Sequence, residues 1–66
     1  MKNNLRVERA IKNITQEELA KQIGVTRQAI NAIELGKFVP STVLALKMAR
    51  YFGKSIHEIF WLEEDD

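Results

Sequence analysis

Apolar residues recur at helical spacing along most of the chain, and capping residues and glycines cut the pattern into short segments. From Lys2 to about Lys12, Leu5, Val7, Ala10 and Ile11 mix with charges. This predicts a first helix with an untidy apolar face, ended by Asn13. Thr15 is suited to an N-cap, and Glu18 three residues later completes a capping-box pattern. A helix over 16–23 follows, with Leu19, Ala20 and Ile23 on one face and Gly24 as its stop. Thr26 opens a third helix from Arg27 to about Leu35, with Ala29, Ile30 and Ile33 facing inward and Gly36 ending it. Pro40 lies in the next loop, and Ser41 or Thr42 starts a fourth helix patterned by Val43, Leu44, Leu46 and Met48 through Phe52. Gly53 closes it. Ser55 and Glu58 repeat the capping-box spacing before a short last helix through Ile59 and Phe60. The expectation is one all-α domain over 1–66, with five helices and an acidic tail over 61–66.

The segment over 16–35 carries the most information. Two capped helices are separated only by Gly24, Val25 and Thr26, so they must cross steeply. Ala20 is small where the second helix would pass, and Ile23, Ile30 and Ile33 supply the shared core. This is a helix-turn-helix pattern, whose second helix suits a DNA major groove. Thr26, Arg27 and Gln28 begin that helix, and Asn31 follows one turn on. Arg pairs bidentately with guanine, and Gln or Asn with adenine, so these side chains are able to read base edges. Gln16, in the first turn of the preceding helix, is placed near the DNA backbone with the helix amides.

Charge and composition sharpen this picture. Residues 1–37 hold seven Lys and Arg against four Glu, whereas residues 38–66 hold three basic against five acidic residues. A basic half suits a polyanionic partner. A chain of 66 residues buries only about 60% of its unfolded surface and usually needs a further staple. With no Cys and a single His, His57, disulfides, thiolate zinc sites and paired acid–base chemistry are excluded, which leaves a second subunit as the staple. No metal, cofactor or enzymatic activity is expected. The absence of a long apolar run or an apolar N-terminal stretch points away from membranes and towards the cytoplasm. Of the aromatic residues Phe38, Tyr51, Phe52, Phe60 and Trp61, some are expected in the core and some at a subunit contact.

The runs Thr15-Gln16-Glu17-Glu18-Leu19-Ala20, Gly24-Val25-Thr26-Arg27-Gln28-Ala29-Ile30 and Ile33-Glu34-Leu35-Gly36-Lys37 resemble the Cro and phage-repressor family, also called xenobiotic-response-element-like. The resemblance extends from about Leu5 to Phe60. It is nearest to minimal members that are little more than the DNA-binding domain and regulate transcription as homodimers on double-stranded DNA. It implies that Gln16 contacts a phosphate, and that Arg27 and Gln28 enter the major groove. Thr26 would cap that helix and touch a phosphate, Asn31 would face the groove or its wall, and Lys37 would follow the backbone from the loop. Arg9 and Glu34 fall where family members place a buried ion pair. A short terminal β-ribbon joining the region of Lys2 to Trp61 and Leu62 is a further implication.

Two residues depart from the pattern. Glu8 stands at a position usually small or apolar, and Ala32 replaces a longer base-reading side chain of some relatives. Base reading then rests on Arg27, Gln28 and Asn31. Several of these residues also have purely structural uses: Thr26 is explained by capping alone, and Lys37 suits a helix C-terminus. Two other functions fit the same residues: an antitoxin that autoregulates and also covers a toxin protein, and a protein-interaction module without DNA binding. A separate regulatory protein is left open as a partner.

Overall fold

The computed structural model describes residues 1–66. Five helices and one two-stranded ribbon follow in the order β1 (Lys2–Asn3), α1 (Leu5–Lys12), α2 (Gln16–Ile23), α3 (Arg27–Glu34), α4 (Thr42–Phe52), α5 (Ile56–Ile59) and β2 (Phe60–Trp61). The ribbon is antiparallel, with Lys2 opposite Trp61 and Asn3 opposite Phe60.

Local chemistry sets most of these boundaries. Thr15 Oγ1 accepts from the Glu18 amide while Glu18 Oε1 accepts from the Thr15 amide, a reciprocal cap at the start of α2. Thr26 and Ser41 cap α3 and α4 in the same sense by accepting from the Ala29 and Leu44 amides. Asn13, Gly24 and Gly53 take left-handed conformations just past α1, α2 and α4. At Gly24, φ is +85° and nothing lies within 4 Å of where a Cβ would stand. The glycine there serves backbone conformation, not close helix approach. Gly24→Ala is therefore expected to cost about 1–2 kcal/mol in urea unfolding, the penalty of a left-handed L-residue. An unchanged midpoint would show that the turn relaxes.

The first helix starts at Leu5, not at Lys2 as its charge pattern suggests. Residues 2 and 3 are extended because they pair with β2, and Asn3 is doubly held. Its Nδ2 donates to the Ile33 carbonyl at 2.8 Å and its Oδ1 accepts from the Leu5 amide at 3.1 Å. The last helix likewise stops at Ile59, because Phe60 and Trp61 turn extended to form β2. The acidic segment consequently begins after the ribbon, at Leu62. It also bends back: Asp66 accepts from the Glu63 amide and pairs with the Met1 ammonium at 3.0 Å.

Leu19, Ala20 and Ile23 of α2, Ile30 and Ile33 of α3, and Ala45, Met48, Ala49 and Phe52 of α4 form the core with Leu5, Ile59 and Phe60. α2 packs on α3 and α4, and α4 packs on α5. Burying an aliphatic side chain of this size contributes roughly 1.5–3 kcal/mol. α1 is attached differently. Leu5 and Glu8 are its only buried residues, whereas Val7 and Ile11 lie exposed. Beyond Leu5 its ties are polar: Arg9 to Glu34, Glu8 to Lys54, and the Lys12 ammonium over the Tyr51 ring. Glu8, at a position where an apolar residue is usual, is buried because the Lys54 Nζ reaches it at 2.7 Å from the turn between α4 and α5. That hydrogen bond holds the Lys54 ammonium above the ordinary lysine pKa.

Candidate nucleic-acid interface

The α2–α3 unit presents its polar residues at one place. Gln16, Arg27, Gln28 and Asn31 line a concavity with no hydrophobic residue in it. Arg27, Gln28 and Asn31 are exposed, and Gln16 is half-buried. Their convergence follows from the caps. Thr26 starts α3 two residues after Gly24, and the crossing of the two helices brings Gln16, in the first turn of α2, to within 3.1 Å of Asn31 on α3. Ile30 and Ile33 anchor the opposite side of α3 in the core. Thr26 itself uses its hydroxyl to accept from the Ala29 amide.

A polar network lies behind the concavity. Arg9 Nε and Nη2 donate to the two carboxylate oxygens of Glu34 at 2.6 and 3.0 Å, with the Glu34 side chain 6% exposed. Arg9 Nη1 also donates to the Ile14 carbonyl at 3.1 Å. The hydrogen bond to Glu34 raises the pKa of Arg9 further, so the guanidinium stays charged throughout the working range. Gln16 Nε2 joins this network to the surface, donating to Glu34 Oε1 at 3.2 Å and to Asn31 Oδ1 at 3.1 Å.

Lys37 is not part of the concavity. It is exposed on the segment after α3, where its amide donates to the Ala32 carbonyl and Gly36 takes a φ of +75°. Sequence reasoning missed the Glu8–Lys54 pair, and the only available signal was the charge at an otherwise apolar register. It also missed Asn3 as the tie between β1 and α3, for which no local pattern exists. Phe52 and Phe60 are in the core and Tyr51 is half-buried, whereas Phe38 and Trp61 are exposed at 52% and 43%.

No helix is long and apolar enough to cross a membrane. The helix-turn-helix family model matches residues 5–59. The chain is 54% identical to the HTH-type transcriptional regulator MJ0272 of Methanocaldococcus jannaschii, and 46% identical to the HTH-type transcriptional regulator YgzD of Bacillus subtilis, each over the full length of both chains. It is also 40% identical, over 53 residues, to the HTH-type transcriptional activator BcrR of Enterococcus faecalis, spanning 80% of this chain and 26% of that one. By its sequence and its α2–α3 geometry, the chain belongs to the Cro/C1-type helix-turn-helix family of transcriptional regulators.

Proposed function

We propose that the protein is a cytoplasmic repressor that binds a pseudo-palindromic operator as a homodimer, with α3 of each chain in the major groove. The polar concavity at the start of α3 carries this reading. Arg27 and Gln28 extend from the first turn of α3 to base edges, with Asn31 behind them. Thr26 and Lys37 meet phosphates on either side, and the first turn of α2, at Gln16, meets another. Two copies of α3 then lie about 34–36 Å apart, one helical repeat of DNA.

The dimeric part of the reading is supported by apolar surface that the fold leaves open. Phe38 and Val39 on the α3–α4 connection and Val43 and Leu46 on α4 are each more than half exposed. Each would bury apolar area against a second chain, supplying stabilisation that so small a core lacks.

Selection from a random DNA pool, with the mass of the complex measured at two salt concentrations, tests the proposal. An enriched inverted repeat bound by two chains is the expected result, with affinity falling steeply as salt rises. Arg27→Ala and Gln28→Ala are each expected to lose roughly 1–3 kcal/mol of discrimination against the wrong base while helicity is retained. Both residues are exposed, so folding should not depend on them. A folded protein that enriches no sequence would overturn the operator reading in favour of a protein-binding module.

A further inference from the structure

Two exposed surfaces of the chain complement each other, and neither complements itself. On α4, Val43, Leu46, Lys47 and Arg50 fall at i, i+3, i+4 and i+7, so they form one stripe along the helix, and they line a concavity. All four are exposed, whereas Ala45, Met48, Ala49 and Phe52 hold the other side of α4 in the core. The helix carries no acidic residue, and neither Lys47 nor Arg50 forms an ion pair. The second surface follows the ribbon, where Trp61, Leu62, Glu63, Glu64 and Asp65 line a concavity with Lys2. Trp61 and Leu62 are exposed. Asp66 fixes the bend by pairing with the Met1 ammonium and accepting from the Glu63 amide, while Glu64 and Asp65 have no cation within ion-pair distance. Each surface thus offers two apolar side chains beside two unpaired charges, and the charges have opposite signs.

We propose that two copies of the chain associate by exchanging these surfaces: the Trp61–Asp65 edge of each seats on the α4 stripe of the other. Trp61 and Leu62 pack on Val43 and Leu46, and Glu64 and Asp65 face Lys47 and Arg50. This rests on the homodimer reading above and assigns its interface. A two-fold contact made by the α4 stripe alone would bring Lys47 and Arg50 towards the same cations of the other copy, with no carboxylate on the helix between them. A contact made by the acidic edge alone would gather carboxylates in the same way. Like charges brought together in an interface are strongly unfavourable, so the crossed pairing is the one the charges favour. Under two-fold symmetry each chain gives and receives once, and the contact is made twice. Trp61 supplies an aromatic anchor of the kind that carries binding energy at protein interfaces. None of these residues lines the concavity of Gln16, Arg27, Gln28 and Asn31, so no side chain serves both contacts.

Sedimentation equilibrium on the DNA-free protein, with charge reversals, tests the pairing. The parent chain is expected to be a dimer. One variant combines Lys47→Glu with Arg50→Glu, and the other combines Glu64→Lys with Asp65→Lys. Each sets like charges together at both contacts, so each should raise the dimer Kd by about a hundredfold or more. Mixed in equal amounts, the two variants place opposite charges at both contacts again, and a dimer should return. A dimer recovered by mixing also shows that both variants are folded. Variants that dimerise alone as tightly as the parent overturn this proposal and leave the homodimer reading standing, with Phe38 and Val39 as its remaining exposed surface. Variants that are monomeric alone and stay monomeric when mixed overturn it too. So does a parent chain that is monomeric at millimolar concentration, and if a single chain also occupies each enriched DNA site, the homodimer reading falls with it.

Discussion

Arg9→Ala is expected to destabilise the protein by about 3–5 kcal/mol, enough to leave most of it unfolded at room temperature. The reason lies in what remains behind. Glu34 is 6% exposed and takes three donors, two from Arg9 and one from Gln16. Without the guanidinium its carboxylate keeps a single amide donor and has no countercharge in a nearly closed site. Glu34→Ala should cost less, because the Arg9 side chain is 15% exposed and has a carbonyl partner in Ile14. Far-UV circular dichroism with urea titration of both variants checks the order. Equal losses would mean that the pair is more open to water than its geometry indicates. Glu34→Ala also removes the carboxylate to which Gln16 Nε2 donates, whereas Arg9→Ala leaves it in place.

Lys54→Met is the second large effect, and its partner variant Glu8→Leu should have a small one. The two side chains form one ion pair, but only Glu8 is sequestered: its side chain is 5% exposed against 36% for Lys54. Removing the ammonium leaves a buried carboxylate without its donor, which costs about 1–3 kcal/mol or more for a charged group. In a domain of this size, each kcal/mol lowers Tm by roughly 4–8 °C. Removing the carboxylate instead lets Lys54 swing into solvent and puts an apolar side chain at an interior position of α1. Replacing a buried pair by apolar residues is often neutral or stabilising, so the double variant should melt above Lys54→Met alone. Thermal melts of the three variants decide this, and a double variant melting below Lys54→Met would refute it. The pair also has a definite pH window. Because the folded pKa of Lys54 is raised, its contribution is complete below the ordinary lysine value and disappears as pH climbs through the raised one.

The parts of this protein that could be read from the sequence are those controlled within one helical turn. Thr15 with Glu18, Thr26 with Ala29, Ser41 with Leu44, and the glycines at 24 and 53 each act on neighbours a few residues away, so spacing alone locates them. Arg27, Gln28 and Asn31 became visible because a capped helix after a tight turn has few places to direct its first polar residues. Distant partnerships were hidden. Nothing local distinguishes Glu8, buried against Lys54, from Glu17, which stays in water. Arg9 with Glu34 came from family resemblance, since the residues lie 25 apart and on separate helices. The ribbon defeated the pattern for the same reason: Lys2 and Asn3 are extended only because Trp61 and Phe60 are opposite them.

That ribbon sets an order of events during synthesis. The α2–α3 pair consists of neighbouring elements, and its contacts close over short stretches of chain. Residues 2 and 3 are synthesised well before Phe60 and Trp61, with which they pair. The Asn4 amide waits equally long for the Ile59 carbonyl. Closing so large a loop adds only about 0.6 kcal/mol for each doubling of its length, so the delay is kinetic more than energetic. Until those residues are made, β1 lacks its partner strand and Glu8 lacks Lys54. The nascent chain therefore carries α3 before it has the partners, Phe60 and Lys54, that help to secure β1 and α1.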